Sequence, residues 1–98
     1  MPAWGGCLLL PAPTRVPNGN SATEEQMVVA MKTLKSYGND VGNYLKCLEF
    51  EANQNRLPRE EQARLHNAAV EALQTIGAQF NEQVRVFKSR QDDAVGLR

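Results

Sequence analysis

The chain has 98 residues, with 11 basic and 11 acidic side chains, so no strong field exists to collect a phosphate backbone. Charged residues make up 22% and hydrophobic residues 42%, a balance that suits a folded domain rather than a disordered tail. The apolar run Cys7–Leu10 falls far short of the about 20 residues that cross a bilayer. Neither a nucleic-acid partner nor a transmembrane segment is expected.

Residues 1–22 hold four of the five prolines and three of the seven glycines. Pro11, Pro13 and Pro17 exclude a helix and impose an extended or polyproline-like path. The segment is read as a signal remnant or a disordered, extended, proline-rich lead. Met1–Ala12 has an apolar centre and small residues but no Lys or Arg before Cys7, so it makes a poor secretory signal. Trp4–Gly5–Gly6–Cys7 also fits a lipoprotein cleavage box badly, because Trp stands where Leu is usual. Asn18–Gly19 marks a turn, since both residues tolerate positive φ.

Thr23 begins the first predicted helix, Thr23–Asn55. Thr23 with Gln26 forms a capping box, although Ser21 with Glu24 offers the same arrangement two residues earlier. Glu24 and Glu25 in the first turn complement the helix dipole. Met27, Met31, Leu34, Gly38, Val41, Leu45, Leu48 and Ala52 alternate steps of four and three and draw one apolar stripe. Gly38 and Gly42 each cost about 1 kcal/mol against Ala in a helix. They mark either a kink or a close approach by the partner backbone.

Asn53–Pro58 is the predicted turn, with Pro58 suited to the first position of a second helix, Pro58–Gln91. Glu60 is placed to pair with Arg64, and Lys88 and Arg90 suit the helix C-terminus. Leu65, Ala69, Leu73, Ile76, Phe80, Val84 and Phe87 form its stripe. Residues 92–98 are expected to fray. The fold class is therefore all-α: an antiparallel, coiled-coil-like two-helix hairpin over residues 23–91, preceded by the extended lead. With the turn centred near Leu57, Gly38 faces Ile76 and Gly77. Leu34 then faces Phe80, Met27 faces Phe87, Val41 faces Leu73 and Leu45 faces Ala69. Two helices bury a thin core, which calls for a staple, a partner or self-association.

Cys7 and Cys47 are the only cysteines. An extended chain from Cys7 to Thr23 spans up to about 50 Å, and Thr23 to Cys47 along a helix is about 36 Å, so a bridge is within reach. It would close a loop worth about 4 kcal/mol in the chain-entropy account. The other reading is two free thiols, one at the helix flank and one in the lead. Export favours the bridge and a reducing cytosol disfavours it. His66 is the lone histidine and reads as a boundary residue, so no metal site is expected. Ser21, Ser36 and Ser89 share no catalytic pattern with it. No catalytic residue and no cofactor are expected, because no two catalytic-type groups converge and Gly38 and Gly42 lie in a helical pattern without the preceding strand of a phosphate loop. Tyr37 and Tyr44, seven residues apart beside the first stripe, read either as a core flank with hydroxyls at the rim or, together with Val86 off the second stripe, as the candidate interface for a partner or a second copy.

Pro17–Asn18–Gly19, Thr23–Glu24–Glu25–Gln26–Met27, Tyr44–Leu45–Lys46–Cys47–Leu48–Glu49, Asn67–Ala68–Ala69–Val70 and Phe80–Asn81–Glu82–Gln83–Val84–Arg85 resemble a helical module of small exported proteins of proteobacteria. Those proteins have no established function. The resemblance covers about Pro11–Arg90 and implies a cleaved signal peptide, a proline-rich lead and a periplasmic helical hairpin. The chain departs from that pattern at its start, where no proper signal is visible. WXG-type hairpins are set aside, because the turn at Asn53–Pro58 carries no Trp-x-Gly. The expected role is a non-enzymatic interaction or structural module of the cell envelope, periplasmic or secreted. The alternative is a cytoplasmic adaptor or assembly subunit that forms a four-helix dimer. No specific protein partner is named by the sequence.

Overall fold

A computed structural model describes residues 7–94, with side chains through Asp92. Two helices, α1 (Glu24–Asn53) and α2 (Arg59–Ala94), fold back on each other as the hairpin that the apolar spacing predicts. The body measures 61 × 19 × 17 Å, a rod little longer than α2 itself. Of the two candidate starts for α1, Thr23 is the one used. Its hydroxyl accepts from the Gln26 N–H at 3.1 Å, and the Thr23 N–H donates to Gln26 Oε1 at 2.9 Å. α1 runs without a break through Gly38 and Gly42.

The connection is closed by a Schellman motif. Asn55 takes the left-handed conformation, φ 61°, which Asn tolerates better than most residues. The Arg56 N–H then reaches the Glu51 carbonyl at 2.9 Å, and the Asn55 N–H reaches that of Ala52 at 3.0 Å. The Arg56 side chain doubles back onto the Glu51 carboxylate through Nε at 2.6 Å and Nη2 at 3.0 Å. Leu57, only 2% exposed, plugs the end of the bundle. The carbonyl of Pro58 accepts the first α2 bond, from Gln62, so Pro58 stands just before the helix rather than inside it.

Met27, Leu34, Phe80, Val84 and Phe87 share one core cluster. Val41, Leu45, Leu48, Ala52, Ala69, Leu73 and Ile76 share the other. The expected layers are thus kept in register by cluster, but the face of α1 is not quite the expected one. Met31 is 50% exposed, while Ala30, Tyr37, Tyr44 and Glu51, one position round the helix at successive sevens, are the covered flank. Nor are the helical glycines points of close backbone approach. A Cβ on Gly38 would meet only Leu73 Cδ1 at 3.9 Å, and one on Gly42 or Gly77 would meet nothing within 4 Å. Arg64 pairs with Glu61 rather than Glu60, at 2.6 Å, one step nearer along the helix. Arg85 pairs likewise with Glu82. α2 continues to Ala94, three residues beyond its expected end, so residues 92–94 are helical rather than frayed.

What rotates the buried face of α1 is a third layer. Residues 7–22 form an extended strap that runs antiparallel to α1 in the groove of the hairpin. Cys7 and Ala22 are buried, and Leu9, Ala12 and Val16 pack against the helical core. The reading of the lead as disordered therefore fails for residues 7–22, while its extended, helix-free path is correct. The portion of the signal-remnant reading that falls on residues 1–6 lies outside the described residues.

Candidate functional site: the strap and its seat

The strap is fixed at both ends, by different chemistry. At one end Cys7 and Cys47 form a disulfide, with Cα atoms 5.6 Å apart. Cys47 sits on the α1 flank beside Tyr44, which directs its sulfur toward the passing strap rather than into the α1–α2 seam. At the other end the strap turns at Asn18. The Asn18 carbonyl accepts from Ser21 at 3.0 Å and Ala22 at 2.8 Å, and its side-chain oxygen accepts from the Asn20 N–H at 2.9 Å. Such an Asx-turn needs no left-handed residue, and Asn55 is the only non-glycine residue of positive φ among those described. The turn expected at Asn18–Gly19 exists, but conformational freedom is not why glycine stands there.

Gly19 is glycine because α2 lies against it. A Cβ at this position would overlap the Gln83 carbonyl oxygen, and would come to 2.8 Å from the Phe87 nitrogen and 3.0 Å from Val86 Cβ. The Gly19 N–H donates to Gln83 Oε1 at 2.8 Å. Arg90 completes the anchor. Its two terminal nitrogens donate to the carbonyls of Asn20 and Ala22, each at 2.7 Å, and its guanidinium lies 4.9 Å from the Phe87 ring centroid. Expected to serve the helix dipole, Arg90 instead neutralises the open carbonyls of the turn.

Between these anchors the strap covers the residues expected to form an interface. Tyr37 and Tyr44 are buried in the cluster against which Leu9, Ala12 and Val16 pack. Val86 is half-buried beside Gly19. Tyr37 and Tyr44 thus lie beneath the chain's own N-terminal segment. Burial pushes the Tyr37 phenol above its ordinary pKa.

Alongside the strap, an open groove of about 990 Å³ is bounded by Pro13, Val16, Pro17, Val29, Ala30 and Phe80. Val29 is 62% exposed, so apolar surface remains on the α1 wall. Elsewhere the chemistry is sparse. His66 is exposed rather than at a boundary, its ring beside Asn67 Oδ1 at 3.3 Å. Among the described residues, no three His, Cys, Asp or Glu side chains gather as metal ligands. No helix of the described residues is long and apolar enough to cross a membrane. Among the described residues Glu51 is the one buried charge, held below the ordinary carboxylate range chiefly by its hydrogen bonds to Arg56.

No protein family, curated protein or solved structure gives a significant match to this chain.

Sequence reasoning singled out Cys7 and Cys47, which the structure joins, and missed Gly19, Gln83 and Arg90 as the second anchor of the strap. The signal for Gly19 lay in the sequence as a glycine beside the Asx-turn residue. Its partner Gln83 is 64 residues away, and Arg90 lies 70 residues from Asn20, beyond any local pattern.

Proposed function

We propose that the protein is a non-enzymatic, disulfide-stapled helical module that works by presenting a protein-binding surface in an oxidising compartment, the periplasm or cell exterior. The Cys7–Cys47 bridge carries this reading, because such a bond persists where thiols are not continuously reduced. Export of the small proteobacterial proteins that the sequence resembles is in keeping with it. The exposed apolar wall of the groove, with Val29 foremost, supplies the contact surface. The dispersion of acidic and basic groups, several already paired along one helix, leaves that surface to select by shape rather than by charge.

The test is the thiol state of the protein in its own cells. Cells are quenched in acid, alkylated, then reduced and alkylated with a second reagent. The proposal predicts that Cys7 and Cys47 take only the second label, in the fraction released by osmotic shock or in the medium. Both cysteines carrying the first label, in the cytosolic fraction, would contradict it and favour the cytoplasmic adaptor.

A further inference from the structure

The two ends of the strap are held unequally. Among the described residues, every hydrogen bond between strap and helices falls at Gly19–Ala22, on Gln83 and Arg90. Residues 7–17 have none to the helices. They are held by Cys7, by the partial burial of Leu9, Ala12 and Val16, and by the bond to Cys47. Leu8 and Leu10 are mostly exposed and carry little of the seat. Ordering so long an extended run costs more conformational entropy than a few half-buried side chains return. The covalent bond therefore decides whether residues 7–17 stay seated.

That bond is also accessible on one side. Cys7 is buried, but Cys47 is half-buried and both line an opening of about 330 Å³ bounded by Leu10, Asp40, Asn43 and Tyr44.

We propose that the strap is a redox-gated cover, in which reduction of Cys7–Cys47 frees residues 7–17 and uncovers Tyr37 and Tyr44, while Asn18–Ala22 stays anchored as the hinge. The reductant is a dithiol. Its thiolate attacks Cys47 Sγ, the Cys7–Cys47 bond breaks, and Cys7 leaves as a thiolate that takes up a proton. The second sulfur of the dithiol then displaces Cys47, which is protonated in turn, and the dithiol departs as a disulfide. Two electrons and two protons pass to the protein, and two thiols replace one bond.

The device is a property of the folded chain, and it stands or falls in purified protein whatever compartment the cell uses. Hydroxyl-radical footprinting of the full chain, before and after treatment with dithiothreitol, reads it directly. Helicity is followed on the same samples by circular dichroism. Reduction is expected to raise the labelling of Tyr37 and Tyr44 at least threefold and leave Met27, Phe87 and helicity unchanged. The double variant Cys7→Ser/Cys47→Ser, without reductant, is expected to show the reduced pattern. Tyr37 and Tyr44 remaining protected in both samples would overturn the proposal, because the strap would then hold without its bond. Joint exposure of Met27 and Phe87, or loss of helicity, would overturn it equally, because strap and hairpin would then be one cooperative unit.

Discussion

Four glycines on the helical rod and its strap look alike in the sequence, yet they answer to different physics. Gly42 and Gly77 carry the entropic cost of glycine in a helix with nothing packed where a methyl would go. Replacing either by Ala is expected to raise stability by about 0.5–1 kcal/mol, read as a higher urea midpoint. Gly38→Ala places its methyl in ordinary contact with Leu73 and is expected to do no harm. Gly19→Ala drives a methyl into the Gln83 carbonyl of α2 and is expected to cost about 2–3 kcal/mol. Equal midpoints for Gly19→Ala and Gly42→Ala would show that the strap does not touch α2. Glu51 gives a second prediction at this scale. Its carboxyl is held below the ordinary range by Arg56, so the folded state binds this proton less readily than the unfolded chain. Its contribution is fully present above the ordinary glutamate pKa and is lost as pH falls through the lowered value. Acid unfolding of Glu51→Gln should accordingly be shallower than that of the parent, and a superimposable curve would contradict the pairing. The flattening is partial, because Glu61 and Glu82 are lowered in the same sense by Arg64 and Arg85.

Both helices were legible as elements, because steps of three and four over so many residues fit no other regular structure. Their ends were legible where a cap is local: Thr23 with Gln26 is four consecutive residues of chemistry. The C-terminus of α1 was harder, since its signal is a left-handed Asn rather than the usual Gly. Asn55→Gly is expected to leave stability unchanged or raise it, whereas Asn55→Ala should cost about 1 kcal/mol, both read by thermal unfolding. A loss with Gly matching that with Ala would mean that Asn55 acts through its side chain and not its φ. The flank of α1 was misjudged at Met31 for a reason that periodicity cannot supply. Positions 31 and 30 lie on opposite sides of one stripe, and which side is covered depends on where the strap runs. An amphipathic pattern fixes the centre of a buried face and leaves its edges to whatever else packs there.

As a whole molecule the chain is a thin hairpin that completes its core with its own N-terminal segment. A two-helix core alone is marginal, and the strap adds Cys7, Leu9, Ala12 and Val16 over Tyr37 and Tyr44 while the disulfide closes a separation of 40 residues. The cysteine pair, the aromatic pair and the prolines were each visible in the sequence. Their convergence was not, because it depends on Gly19 meeting Gln83, and Asn20 and Ala22 meeting Arg90, toward the far end of α2. Removing Arg90 strips two hydrogen bonds from open carbonyls, so Arg90→Ala should loosen the Asn18–Ala22 turn while the disulfide still holds Cys7. Faster amide exchange at Ser21 and Ala22, with Leu48 unaffected, is the expected signature; uniform protection would contradict it. The most direct trial of the whole arrangement is an isotope-edited NOE spectrum of the oxidised protein. Cross-peaks from the Gly19 α-protons to Val86 and Phe87, together with cross-peaks from Cys7 and Leu9 to the Tyr44 ring, are predicted. Random-coil shifts for residues 7–22 with no NOE to either helix would contradict it.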